Sequence, residues 1–215
     1  MKRHNKVAAL AAAVIGAVGV GFALAQPPTG AMSFFLTSRG SGNGGNLGGL
    51  EGADKICQDL AQAAGHGART WRAYLSTQGQ GAVNARDRIG PGPWFNVRGA
   101  RIAQNPDELH SSANRMAVFT ALDERGNQIP GSGFAPNRHD ILTGSQPDGR
   151  AYPAGADMTC NNWTSSSDDG GAKARVGHHD YSAWNSTHDS RGCSQPGLVS
   201  TGGDGLFYCF ALPAP

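Results

Sequence analysis

The chain has 215 residues, with 18 lysines and arginines against 16 aspartates and glutamates, 32 glycines and only 7% aromatics. Lys2, Arg3 and Lys6 precede the small apolar run Val7 to Leu24, and Ala23-Leu24-Ala25 is an A-x-A cleavage signature, which together predict an export leader over residues 1–25. Without the leader's bases the balance is 15 against 16, near neutral, and this excludes recognition of nucleic acid or another polyanion through bulk charge.

The mature chain is expected to start at Gln26 and to be secreted or periplasmic. No cysteine follows the cleavage point to carry a lipid. No later stretch is apolar enough to span a membrane, so no insertion is expected once the leader is removed. The remaining length suits one domain. Residues 26–32 read as a linker and residues 33–215 as that domain. The many glycines and few aromatics point to short elements joined by long loops.

Ser33 to Ser38 reads as a strand from its apolar run. Gly40 to Gly49 is too rich in glycine and asparagine to be regular and reads as an ordered, turn-rich connection. The clearest helix spans Glu51 to Ala64. Ala53, Ile56, Cys57, Leu60 and Ala64 recur there at three- and four-residue spacing, and Gly65 ends it. Thr70 to Leu75 follows as a strand. Trp94 to Val97 and Ala100 to Ala103 flank Arg98-Gly99 as a hairpin, and Asn105 to Leu109 opens a turn or short helix. Arg125-Gly126-Asn127 is a turn, and Ile141 to Thr143 a short strand. Thr164 to Gly192, rich in Ser, Asp, His and Gly, reads as a long surface excursion. Leu206 to Leu212 is the closing strand.

Cys57, Cys160, Cys193 and Cys209 are an even set in an exported chain and read as two disulfides, with three pairings open. A zinc site is the competing use of four cysteines, but no C-x-x-C spacing is present.

Ala53-Asp54-Lys55-Ile56-Cys57, followed by Thr70-Trp71-Arg72-Ala73-Tyr74-Leu75-Ser76, resembles the start of endostatin-type domains. Gly144-Ser145-Gln146-Pro147-Asp148-Gly149-Arg150, then Cys160-Asn161-Asn162-Trp163, Cys193 and Leu206-Phe207-Tyr208-Cys209, is similar to the later part of the same family and to bacterial exported proteins with a C-type-lectin-like fold. The match runs from about Phe34 to the C-terminus and is weakest across Gln78 to Arg138. The resemblance implies an α+β, C-type-lectin-like (endostatin-like) domain of short twisted, mainly antiparallel strands with one clear helix, long loops and two disulfides. It also implies nested pairing, Cys57 with Cys209 and Cys160 with Cys193. A core-facing helix opposite a closing strand agrees with the first pair. Endostatin's amino-terminal zinc ligands have no matching residues here, and its basic heparin-binding surface does not suit a near-neutral chain.

Two constellations bear on chemistry. Gln146-Pro147-Asp148 is the tripeptide of galactose-type calcium sites in true C-type lectins, and Trp184-Asn185-Ser186 partly matches their Trp-Asn-Asp. Oxygen donors of this kind suit Ca²⁺. Ser186 stands where a carboxylate is needed, however, and a Pro-Asp-Gly turn is the simpler account of Asp148. His178-His179-Asp180 and His188-Asp189 gather imidazoles and carboxylates in one polar loop, a donor set for Zn²⁺ or a related ion, set against a plain solvated loop. His139-Asp140 reads as the start of a strand. Trp163 reads as core, and Asn161 and Asn162 as loop-satisfying amides or ligand contacts. Tyr181 and Trp184 read as an exposable aromatic pair, set against both packing down onto the domain.

No Gly-x-Ser-x-Gly elbow, phosphate loop or thiol left over after pairing is present, so no catalytic residue is assigned. The leading expectation is an exported binding module presenting Gln146, Asp148, Asn161, Asn162, Tyr181, Trp184 and Asn185 to a glycan or extracellular protein. The alternatives are a divalent-metal-dependent lectin or hydrolase centred on residues 178–189, and a structural envelope or matrix protein. The oligomeric state is left open.

Overall fold

A computed structural model of the chain describes Met1 and residues 30–213. The expected leader beyond Met1 and the first part of the linker lie outside the described residues. Strand β1 (Phe34–Leu36) is wholly buried and leads through the glycine-rich connection into helix α1 (Gly49–Ala63). The core face of α1 is Ala53, Asp54, Cys57, Leu60 and Ala61, with Ile56 and Ala64 only partly covered. This face differs from the apolar stripe because a charge is drawn inside. Asp54 accepts from Arg72 at 2.5 Å, from Arg88 at 2.6 Å and from the backbone N–H of Ala73 at 2.8 Å. A buried carboxylate is tolerated when every lone pair is engaged by a charged or backbone donor.

Strand β2 (Trp71–Ala73) follows, then the hairpin of β3 (Trp94–Phe95) and β4 (Arg101–Ala103). Gly99 takes the left-handed conformation its turn requires, and Asn96 Oδ1 accepts from the N–H groups of Arg98 and Ala100. Helix α2 (Pro106–Leu109) is capped by Asn105, as Asn-Pro-Asp-Glu suggests. Strands β5 (Asp140–Leu142), β6 (Arg175–His178), β7 (His188–Asp189) and β8 (Gly203–Ala211) complete the set.

The long strand β8 is the axis of a mixed, mostly antiparallel sheet in the order β1-β8-β5-β6-β7, with β2 also pairing to β8. β1 and β2 run antiparallel to β8 and β5 runs parallel to it. Both faces of this sheet are covered. One packs on α1 through Phe35, Trp71, Leu75, Trp163 and Phe207; the other holds Phe34, Tyr74, Trp184, Tyr208 and Phe210. Each such side chain contributes about 1.5–3 kcal/mol of burial. The disulfides are Cys57–Cys209, which pins α1 to β8, and Cys160–Cys193, each with a Cα–Cα separation of 5.6 Å. Among the described residues no helix is long and apolar enough to cross a membrane.

Two segments depart from expectation. Cys160, Asn161, Asn162 and Trp163 have φ of 48°, 52°, 55° and 67°, one left-handed turn of four non-glycine residues. Such a turn costs roughly 1–2 kcal/mol per residue. The Cys160–Cys193 bridge, the bond from Trp163 Nε1 to Ser76 O at 2.7 Å and the bond from Asn162 N to Thr159 Oγ1 hold it in place. The polar stretch 164–192 is no free excursion either. It supplies β6 and β7 to the sheet, and Trp184, read as exposable, is 1% exposed in the core with Nε1 donating to Leu109 O.

Candidate metal centre

Strand pairing builds the site. Asp140 opens β5 directly across from His178, the last residue of β6, and His188 opens β7 across from Val176. Side chains alternate along a strand, so Asp140, His178 and His188 share one face of the sheet edge. His139 stands just before β5, and its ring stacks on that of His178 with centroids 4.1 Å apart and planes 17° from parallel. The chain leaves room for it at Gly202, where a Cβ would lie 3.0 Å from the His139 ring.

The result is a buried carboxylate ringed by imidazoles. Asp140 Oδ1 is 3.2 Å from His139 Nε2, 3.0 Å from His178 Nε2 and 3.3 Å from His188 Nε2, and the latter two nitrogens are 3.0 Å from each other. Asp140 is 2% exposed. Although the three rings come this close, none is aligned to donate to it, and both of its oxygens lack a hydrogen bond. His188 Nδ1 is 3.0 Å from the carbonyl of Asp189, which places the proton on Nδ1 and a lone pair on Nε2. His139 Nε2, Asp140 Oδ1 and His178 Nε2 thus converge on one point, while His188 Nε2 is hydrogen-bonded to His178 Nε2 beside them. A divalent cation with nitrogen and oxygen ligands at about 2.0–2.2 Å fits this arrangement.

Seven buried side-chain polar atoms among the described residues have no hydrogen-bond partner, and four of them belong to His139, Asp140 and Asp180. Buried polar atoms are nearly always satisfied, so their concentration marks a place suited to a ligand. Two of the four face one another, since His139 Nδ1 is 3.6 Å from Asp180 Oδ1. Asp180 is itself anchored by the N–H of Ser132 on Oδ2 at 2.6 Å. A carboxylate behind the distal nitrogen of a ligating histidine orients the ring and raises its basicity. Asp180 thus stands as a support to His139 rather than a ligand.

Of the residues read as metal donors, His178 and His188 converge, whereas His179 and Asp189 turn elsewhere. His179 follows β6 onto the opposite face and is fully buried. Burial pushes its pKa down to about 4, so the ring is neutral. Asp189 is held by Lys173 at 2.8 Å and Arg175 at 3.1 Å. Burial acts to raise its pKa, but hydrogen bonds from these two cations hold it below the ordinary carboxylate range. His139 and Asp140, read as no more than a strand start, complete the centre. The signal that finds them is the pairing of β5 with β6, which residue spacing does not carry.

The residues read as ligand contacts divide. Asp148 binds Arg150 through Oδ2 at 2.5 Å and the Arg150 N–H through Oδ1, and Gln146 Nε2 donates to Ala151 O, so this segment is a self-contained turn. Asn185 Nδ2 donates to Tyr74 Oη and to the carbonyls of Gln146 and Pro147, tying the turn to the core. With Asp148 committed to Arg150, no calcium cage forms there. Asn162 is consumed by the backbone of Gln78, and Asn161 is exposed with Nδ2 donating to Thr164 Oγ1. Tyr181 is 57% exposed. It walls a groove of about 360 Å³ that opens beside His139 and His178 and is completed by Ser132, Ser182, Ala183 and Thr187. The chain matches no protein-family model and no curated protein.

Proposed function

We propose that this protein is an exported, C-type-lectin-like binding module, secreted or periplasmic, whose ligand-facing surface is organised by a divalent transition-metal ion. His139, Asp140 and His178 are its ligands, His188 bonds to His178 beside them, and Asp180 stands behind His139. One observation carries the reading: three imidazole Nε2 atoms stand within 3.3 Å of one buried carboxylate oxygen that receives no hydrogen bond. Two imidazoles and one carboxylate suit Zn²⁺ and its transition-metal neighbours, whereas Ca²⁺ requires a cage of oxygens. Two disulfides in a chain with an expected export leader support an oxidising compartment.

Calorimetry on protein stripped by chelator tests the reading. One Zn²⁺ per chain is expected, and His139→Ala with His178→Ala is expected to lower affinity at least 100-fold while leaving Ca²⁺ without measurable binding in either protein. Wild-type protein that takes up no Zn²⁺, or a double variant that keeps wild-type affinity, would refute it.

A further inference from the structure

We infer that the metal keeps an exchangeable position facing the Tyr181 groove, and that this position takes a monoanionic oxygen donor carrying a flat apolar or aromatic body, such as an aromatic carboxylate or hydroxamate. The inference rests on the proposed metal-dependent function.

Three observations carry it. The first is number. One donor atom each from His139, Asp140 and His178 lies close enough to the others to share one ion, whereas a zinc-like centre takes at least four donors, so at least one position is left to an outside ligand.

The second is direction. The three donors come from the start of β5 and the end of β6, while the loop side of the groove, Ser132, Tyr181, Ser182, Ala183 and Thr187, offers no imidazole, carboxylate or thiol. The open side of the ion therefore faces a groove of about 360 Å³, room for a fragment-sized molecule.

The third is chemistry. A divalent ion with one carboxylate and two imidazoles keeps one unit of positive charge in its first shell, and a monoanion neutralises it. No lysine or arginine lines the groove to hold a second negative charge. The wall next to the ion is the exposed ring of Tyr181, whose centroid is 6.0 Å from that of His178. Flat rings meet such a surface by offset or edge contact.

The experiment uses the full mature chain loaded with Co²⁺, whose visible bands report coordination, and two probes, acetohydroxamate and benzohydroxamate. Both are expected to shift the bands saturably with the metal retained on the protein after desalting. Benzohydroxamate is expected to bind about tenfold more tightly, and Tyr181→Ala to reduce its affinity to that of acetohydroxamate. Bands that neither probe moves, on protein holding one Co²⁺ per chain, would show a closed centre and overturn this inference while leaving metal binding intact. Equal affinities of the two probes in the wild type, or a preference that survives Tyr181→Ala, would overturn the assigned ligand class. A protein that binds no Co²⁺ removes the metal reading, and the inference goes with it.

Discussion

Two buried aspartates divide this molecule. Asp54 sits between α1 and β2 with two guanidinium groups and a backbone N–H on its oxygens, so its charge is balanced within the chain. Asp140 sits at the start of β5 with imidazole nitrogens around it and no aligned donor. Burial is similar, yet one carboxylate is finished by the fold and the other is left open. The difference teaches that α1, β2 and β8 satisfy their buried charge from within, whereas at the β5–β6–β7 edge both oxygens of Asp140 are left without a hydrogen bond, the feature on which the proposed metal site rests.

That contrast can be broken or sharpened by experiment, starting with the frame. The Cys57–Cys209 bridge spans 152 residues and Cys160–Cys193 spans 33. On the chain-entropy account, their removal costs about 5 and about 4 kcal/mol as upper figures. Cys57→Ser with Cys209→Ser is expected to cause the largest drop in urea midpoint of any change considered, and Cys160→Ser with Cys193→Ser the next largest. The reverse order would mean that the 160–193 region, not α1 and β8, is the frame.

The two aspartates should respond oppositely to the same substitution. Asp54→Asn leaves Arg72 and Arg88 without their carboxylate and is expected to destabilise by about 3 kcal/mol. Asp140→Asn in metal-free protein alters a carboxyl group that has no hydrogen bond to lose and is expected to be neutral or stabilising, while abolishing metal uptake. Urea unfolding of both variants after chelation decides this, and equal losses would contradict the contrast. Zn²⁺ itself, at a free concentration 100 times its Kd, is expected to stabilise the wild type by about 2.7 kcal/mol through binding only the folded chain. It should do nothing for Asp140→Asn. Scanning calorimetry with and without the metal checks it.

The smallest expected effect is a pH dependence within the frame's second core. His110 accepts from the Tyr74 hydroxyl on Nε2 at 2.7 Å, with Nδ1 turned to the carbonyl of Pro106. Burial lowers its pKa, outweighing the opposing hydrogen bond to Pro106. The unfolded chain thus takes up a proton before the folded one as pH falls. The associated stability is present above the unfolded-state pKa of about 6.5 and is lost as pH drops below it. The thermal midpoint of the wild type should therefore fall more than that of His110→Gln between pH 7.5 and pH 5, in chelated buffer.

Much of the frame was legible because its signals are local. The apolar spacing around Cys57 gave the helix, Arg98-Gly99 gave the hairpin turn, and Asn105-Pro106 gave the capped helical turn. The nested disulfides followed from the family resemblance. Asp54 was not legible as a core residue because its partners arrive from β2 and from Arg88, beyond the reach of helical periodicity. The metal centre was half legible. The histidines of 178–189 are close in sequence, so their density drew notice, but strand alternation sends His179 to the far face and keeps His178. His139 and Asp140 join only through the pairing of β5 with β6, a contact between distant segments that no local pattern reports. Trp184 was read as exposable because its neighbours Ser182 and Ser186 are polar, while its ring is drawn under the sheet by Tyr74 and Tyr208.

The central claim is that the sheet edge is completed by a metal, and zinc K-edge X-ray absorption on the Zn²⁺-loaded mature protein tests it most directly. The account predicts a first shell of two imidazole nitrogens and at least one oxygen at about 2.0–2.2 Å, with the outer-shell scattering of imidazole rings. A first shell of oxygens alone, or one containing sulfur, would contradict it.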